Sequence, residues 1–127
     1  AKWLYRGMKR RFAIGGPRVV QYSEAIKHLV PDLSKFKFDA YPSVFPNWDH
    51  TPRSGRKGLV LANSTPDLFA SHVKKAADEV ADRPGDRRLI FLKSWNEWAE
   101  GNYIEPDARW GSKYLKALRG EILGDFI

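Results

Sequence analysis

The chain has 127 residues, 43% of them hydrophobic, which is enough apolar material for one packed domain and argues against disorder. It contains no cysteine, so disulfides, thiolate metal sites and a cysteine nucleophile are excluded. Its histidines, His28, His50 and His72, lack metal-ligand spacing, and we expect His50 and His72 at the surface. The sequence therefore predicts no metal and no cofactor.

The formal net charge is +7, with the basic residues spread along the chain. This spread favours a solvated basic surface, although a basic domain can also bind nucleic acid. No run approaches the roughly 18 apolar residues of a membrane span, and the first residues do not form a signal peptide. We expect a cytoplasmic protein, with a membrane-peripheral position left open. Because the chain begins with Ala1, we expect it to be part of a longer protein.

In the first half of the chain, residues 12–14 predict a short strand, and Ser23 predicts the N-cap of a helix that stops before Pro31. Apolar residues alternate through residues 36–45, which predicts a strand. A short apolar piece at residues 58–62 comes after a polar loop.

In the second half, Thr65 and Pro66 predict the start of a helix, and apolar residues recur at helical spacing as far as Val80. Residues 89–92 form a continuous apolar run, typical of a strand buried on both faces. A last amphipathic helix is predicted over residues 114–122. This alternation predicts an α/β fold with parallel strands.

Two glutamates follow the predicted buried strand in the run WNEWAE, residues 95–100. On a helical turn, Glu97 and Glu100 would share one face, with Cβ atoms about 5–6 Å apart. Two carboxyl groups roughly 5–5.5 Å apart suit glycosyl transfer with net retention, in which one gives a proton and the other stays ionised. We therefore predict that Glu97 and Glu100 are catalytic.

The neighbours of these glutamates also suit a sugar. Trp95 and Trp98 flank Glu97, and an indole ring is a good platform for the apolar face of a sugar. Asn96 could bind a sugar hydroxyl or orient Glu97. The alternative is that both Trp residues belong to the core and the glutamates lie on an exposed turn, but the density of Trp, Asn and Glu at a strand end favours a site.

A second polar segment, residues 46–53 (PNWDHTPR), predicts further substrate contacts. Trp48 could stack on a sugar, Asp49 could accept a sugar hydroxyl, and Arg53 could hold a phosphate or carboxylate bidentately. In the alternative, Asp49 makes an Asx turn and Arg53 is solvated. Tyr103 and Glu105 are further candidate substrate contacts, with a structural role equally open for each.

Residues 94–107 (SWNEWAEGNYIEPD), then Gly111 and Tyr114, resemble the signature of the WbsX-type glycosyltransferase family. Residues 46–53 resemble its second motif, and the resemblance covers roughly residues 20–120. That family is similar to glycoside hydrolase family ninety-nine, the endo-acting mannosidases, which have a (β/α)8 barrel. The resemblance implies that residues 1–127 form the C-terminal portion of one TIM-type barrel domain, with the missing N-terminal part as its partner.

In the hydrolase relatives, the first glutamate of the motif acts as a base at the sugar 2-hydroxyl, and the second as general acid and base at the glycosidic oxygen. Carried over by position, these roles fall on Glu97 and Glu100. The hydrolases usually have His where this chain has Ala99, which matches the WbsX-type pattern better than mannosidase specificity. Bacterial members are associated with surface polysaccharide (lipopolysaccharide-type) synthesis, so the resemblance implies a glycan or sugar-nucleotide substrate and either transfer or hydrolysis.

Three functions stay open. The first is a glycosyltransferase or retaining-type glycosidase; the second is a non-catalytic glycan-binding module with the same aromatic residues. The third is a basic nucleic-acid-binding domain, which is least favoured because the Trp residues stand beside acids that repel phosphate. Because a full barrel needs about 250 residues, we expect the isolated chain to be poorly active.

Overall fold

A computed structural model describes residues 16–124 as a mixture of short strands and helices. In chain order the elements are β1 Arg18–Gln21, α1 Tyr22–Leu29, β2 Ser43–Val44, β3 Trp48–Asp49, α2 Thr51–Ser54, β4 Leu59–Ala62, α3 Pro66–Val80, β5 Phe91–Leu92, β6 Asn96–Glu97, β7 Asn102–Tyr103 and α4 Lys113–Leu123. The strand predicted at residues 12–14 lies outside the described residues. Within residues 16–124, no helix combines the length and the apolar character that crossing a bilayer requires.

The strands form parallel pairs joined through helices, as the α/β prediction requires. β1 pairs in parallel with β4, with Arg18 opposite Leu59, and β2 pairs in parallel with β5, with Ser43 opposite Phe91. Two antiparallel pairs, β3 with β4 and β6 with β7, were not predicted. Residues 16–124 are therefore mixed α/β, with their strands in three small sheets.

The core lies where α3 and α4 pack on each other and on β2. Thr65 caps α3 by accepting a hydrogen bond from the Leu68 amide, as its place before Pro66 predicted. The main cluster of buried apolar residues in the described part of the chain consists of Val30, Val44, Phe69, Val73, Ala76, Ile104 and Tyr114. Ile104 comes from the segment that follows the two glutamates, so core packing fixes the position of that segment.

Two strand predictions were too long. Residues 36–42 are not a strand: Asp32 caps a 3-10 turn over Leu33–Lys35 that draws the chain away from extended pairing, and Phe38 is 69% exposed. Residues 89–92 are not buried on both faces, because only Phe91–Leu92 is a strand and Phe91 is 57% exposed. The N-cap of α1 is Gln21 rather than Ser23, and it makes no side-chain cap bond.

His72 is buried rather than at the surface, so that prediction was wrong. Its Nδ1 lies 3.2 Å from the Tyr22 hydroxyl, which donates its proton to the Phe45 carbonyl. Tyr22 has only one proton to give, so Nδ1 must carry the proton between the two rings, and Nε2 has no hydrogen-bond partner in the described structure. This cluster fixes Phe45, whose ring stacks on His72 and meets Trp48 edge to face.

The stability of the fold should fall on acidification because of His72. Burial lowers the pKa of His72 to about 4, and the charge of Lys75 adds to the effect. The unfolded chain binds this proton below about pH 6.5, whereas the folded chain does so only near pH 4. The contribution of His72 to the free energy of unfolding should therefore be constant above pH 6.5 and fall by up to about 3 kcal/mol as the pH drops through this window.

Urea unfolding between pH 7.5 and pH 4.5 measures this loss. His72→Gln should remove this part of the pH dependence, whereas His28→Gln, at an exposed position of α1, should keep it. An equal slope in wild type and His72→Gln would contradict the assignment.

Candidate active site

The two glutamates lie on the hairpin that β6 and β7 form, Glu97 at the end of the first strand and Glu100 in the tight turn that joins the two strands. β6 ends at Glu97, a 3-10 turn covers Trp98–Glu100, and Gly101 reverses the chain with φ +53°. β7 then runs back so that Asn102 pairs with Glu97 and Tyr103 pairs with Asn96. Glu97 therefore lies at the end of β6, and Glu100 lies at the end of the 3-10 turn that follows it.

Asn102 and Ser94 hold this hairpin together. Asn102 is fully buried, and its Oδ1 accepts a hydrogen bond from the Ser94 amide. The Ser94 hydroxyl donates to the Asn102 carbonyl at 2.7 Å and accepts from the Glu97 amide at 3.2 Å. Ile104, anchored in the core, donates to the Trp95 carbonyl at 3.0 Å. Sequence reasoning did not identify Asn102 or Ser94 as structural supports of the site.

Glu100 is a buried carboxylate with two cationic groups and an imidazole around it. It is 8% exposed, and its Oε1 lies 3.4 Å from Arg53 Nε and 3.8 Å from His50 Nε2. Its Oε2 lies 3.6 Å from Lys93 Nζ, and that ammonium also stands 4.9 Å from the centre of the Trp48 ring. A charge buried without partners would cost several kcal/mol, so these groups are what allow Glu100 to lie in the interior.

Arg53 joins the two glutamates. Its Nη2 lies 3.6 Å from Glu97 Oε1, while its Nε faces Glu100. All these contacts are longer than the roughly 2.7–2.9 Å of a charge-assisted hydrogen bond. No hydrogen bond within the described residues ends on either carboxylate, so both keep oxygen lone pairs available for a substrate hydroxyl or a glycosidic oxygen.

Asp49 supports the local backbone. Its Oδ1 accepts from the Thr51 amide at 2.9 Å and from the Thr51 hydroxyl at 2.6 Å, the Asx-turn geometry considered for it above. These bonds start α2, the short helix that carries Arg53 towards the glutamates. A contact between Asp49 and a sugar hydroxyl stays a prediction. The Asp49 oxygen that could accept this hydrogen bond is Oδ2, because Oδ1 already binds Thr51.

Gly101 brings the two motifs into contact. A Cβ at this position would lie 3.3 Å from Asp49 Cβ, and the positive φ also disfavours a side chain.

Gly101→Ala should therefore lower the free energy of unfolding by about 1–2 kcal/mol. Gly120→Ala is the matched control, because Gly120 lies in α4 with open space around its Cβ position and should become slightly more stable. Thermal or urea unfolding of the two variants checks this, and a neutral Gly101→Ala would contradict the close contact.

Two of the predicted aromatic contacts, Trp95 and Trp98, lie at the surface beside the glutamates. Trp95 and Trp98 are 53% and 48% exposed, so neither is a core residue. Trp98 stacks on Tyr103 with ring centres 3.6 Å apart, and its Nε1 donates to Glu105 Oε2 at 2.6 Å. Glu105 thus orients the Trp98 ring. Asn96 is exposed on β6, next to Glu97.

His50 and Lys93 are part of the site although sequence reasoning did not select them. His50 was expected to be a surface residue, but it is half-buried, with Nδ1 3.0 Å from the Ser54 hydroxyl and Nε2 facing Glu100. His50 stands between Asp49 and Arg53 in the second motif, and this position was the available signal. Lys93 gave a weaker signal, a cation that directly follows the apolar run at residues 89–92.

Comparison with known proteins decides the family. A family model described as Glycosyltransferase WbsX matches residues 4–118. The chain belongs to the WbsX glycosyltransferase family. The resemblance drawn from residues 46–53 and 94–107 is thereby confirmed, and the matched range of this WbsX member contains both of these segments.

Two curated relatives extend the comparison. The "Uncharacterized protein WxcX" of Xanthomonas campestris pv. campestris, in two strains, is 37% identical to this WbsX-family chain over 83 residues. The match covers 65% of the chain and 12% of each relative, so the chain corresponds to a small part of these proteins. No solved structure matches the chain. The description of the family is that of a glycosyltransferase.

Proposed function

We propose that this chain provides the acid/base carboxylates of a glycosyl-transfer enzyme, with Glu100 as the general acid and base at the glycosidic oxygen and Glu97 as the base at the neighbouring hydroxyl. The observation that carries the proposal is the pair itself: two carboxylates share Arg53, and neither is closed off by a tight hydrogen bond. A proton can therefore move between a substrate oxygen and either group without first breaking a strong internal bond.

The partial burial of the site supports these roles. Glu100 is 8% exposed, and a carboxyl group in a partly dry site interacts more strongly with a reacting oxygen than one in water. Trp95 and Trp98 expose about half of their surface beside the pair and can receive the apolar face of a sugar ring. Proton donor, base and sugar platform thus lie within one hairpin and its turn.

The proposal also assigns the chain to a larger fold, a (β/α)8 barrel of which it forms only a part. The parallel pair β2–β5 ends immediately before the glutamates, and catalytic groups of (β/α)8 barrels lie beyond the carboxyl ends of the strands. We place the chain as the C-terminal portion of such a barrel, acting on a cell-surface polysaccharide or its precursor, by transfer or by retaining hydrolysis. The chain alone provides only one part of the sugar cleft.

The test is product formation by the intact protein on a panel of bacterial and mannose-containing glycans. Wild type should release or transfer a sugar, whereas the double variant Glu97→Gln/Glu100→Gln should bind the same glycan and form no product. Glu24→Gln, an exposed change on α1, is the matched control and should behave as wild type. Equal glycan binding by all three proteins without turnover in any would favour the glycan-binding module, which the exposed Trp95 and Trp98 also support.

A further inference from the structure

A pocket lies beside the hairpin, outside the cluster formed by the two glutamates and the side chains that contact them. It has a volume of about 190 Å3. Its lining residues in the described chain are Asn47, Leu61, Asn63, Ser64, Tyr103, Arg109, Trp110 and Tyr114. Pockets for drug-sized ligands measure about 300–1,000 Å3, so this one has room for a single sugar ring rather than for several.

The pocket adjoins the candidate active site through shared residues. Tyr103 lines the pocket, stacks on Trp98 and pairs with Asn96 across the hairpin. Asn47 directly precedes Trp48 in the second motif, and its Oδ1 accepts a hydrogen bond from the Tyr103 amide at 3.3 Å. One glycan bound at the glutamates therefore has a neighbouring place for a further residue.

Asp107 holds in place the side of the pocket that consists of Arg109 and Trp110. The Asp107 carboxylate accepts the amide protons of Arg109 and Trp110, and its backbone amide and carbonyl bond to Gly111, which has φ +55°. Burial raises the pKa of the Tyr103 hydroxyl, and the negative charge of the neighbouring Asp107 adds to this effect. Asp107 therefore fixes the backbone of Arg109 and Trp110 through a single carboxylate oxygen, Oδ1.

Arg109 is the charged side chain that lines the pocket within the described residues. Its guanidinium stands 5.1 Å from the centre of the Trp110 ring, and no carboxylate of residues 16–124 forms an ion pair with it. A guanidinium presents two parallel N–H donors that match a carboxylate or phosphate. Trp110 lines the pocket beside it, and Asn47 has its side-chain Nδ2 left for a sugar hydroxyl. Ser64 already bonds the Pro46 carbonyl and the Tyr114 hydroxyl.

We infer that this pocket is a second sugar subsite, which binds one sugar residue carrying a carboxylate or phosphate, with Arg109 on the anionic group and Trp110 against the ring. The choice of a sugar rests on the proposed function, whereas the preference for an anion rests on Arg109. The subsite gives the enzyme selectivity for an acidic glycan or for a sugar phosphate.

Binding is measured on the intact protein that carries Glu100→Gln, so that no turnover interferes. Glucuronate, glucose 1-phosphate, glucose and inorganic phosphate serve as probes in ligand-observed NMR or calorimetry. At least one of the two anionic sugars should bind about tenfold more tightly than glucose. Glucuronate as the tighter ligand indicates an acidic glycan, and glucose 1-phosphate indicates a sugar phosphate.

Arg109→Gln should abolish this preference, and Arg109→Lys, which keeps the charge without the two-pronged geometry, should retain part of it. Arg119→Gln removes the same charge from an exposed position of α4 and should leave the preference unchanged. Equal binding of glucose and both anionic sugars would overturn the inference, as would an equal loss in Arg119→Gln or inorganic phosphate that binds as tightly as the sugars.

The binding experiment can fail or succeed independently of the test of the proposed function. If the preference depends on Arg109 and wild type forms no product from any glycan, the subsite stands and the catalytic proposal fails. If wild type forms product and the Arg109 variants bind every probe as wild type does, the catalytic proposal stands and the subsite fails.

Discussion

Glu100→Gln should lower the rate of glycosyl release by about 10²–10⁴-fold when the leaving group is a sugar, and far less when it is an aryl alcohol. Glutamine keeps the size of the side chain but cannot give a proton to the departing oxygen. A sugar hydroxyl leaves poorly without that proton, whereas an acidic phenol leaves readily as the anion. Initial rates of the intact protein on matched sugar and aryl glycosides measure the two losses.

Glu97→Gln serves as the comparison in the same experiment. A base at the neighbouring hydroxyl acts on the ring rather than on the leaving group, so its removal should lower both rates by a similar factor. Glu24→Gln should leave both rates unchanged. A loss in Glu100→Gln that is the same for both leaving groups would contradict its role as general acid.

The sequence predicted the parts of the site that depend on neighbouring residues in the chain. The run at residues 95–100 identifies both glutamates, since an apolar strand followed by Trp, Asn and Glu is informative without any knowledge of distant contacts. The same local logic located α3, because Thr65 and Pro66 are a cap and a first helical residue. It also gave the Asx turn of Asp49 as an alternative, and the structure contains that turn.

Contacts between distant segments were not predictable in the same way. Nothing in the sequence around Lys93 indicates that its ammonium would lie between Trp48 and Glu100, because that position depends on how β3 and the turn after β6 meet. His72 was misplaced because its environment comes from Tyr22 and Phe45, which lie far from it in the chain. Alternation at residues 36–45 predicted a strand that was too long, since only Ser43–Val44 pairs and residues 36–42 follow the 3-10 turn that Asp32 caps.

Arg53 should influence catalysis more than stability. It is the ionic partner of Glu97 within residues 16–124, and it also contacts Glu100, which keeps His50 and Lys93 when Arg53 is removed. Arg53→Ala frees Glu97 to move, and a displacement of about 1 Å in a catalytic group can cost about 10²-fold in rate. Because the Arg53 side chain is 57% exposed, the free energy of unfolding should change by no more than about 1 kcal/mol.

Steady-state kinetics separates this role from the alternative in which Arg53 holds an anionic group of the substrate. A positioning role lowers kcat with little change in KM, and Arg53→Lys, whose single ammonium cannot face both carboxylates, should recover only part of kcat. A substrate-binding role instead raises KM, and only for substrates with a phosphate or carboxylate. Arg56→Ala, an exposed arginine of the adjacent 3-10 turn Gly55–Lys57, is the matched control and should leave both constants unchanged. A rise in KM without a fall in kcat in Arg53→Ala would therefore assign Arg53 to the substrate and leave Glu97 to be positioned by its hairpin alone.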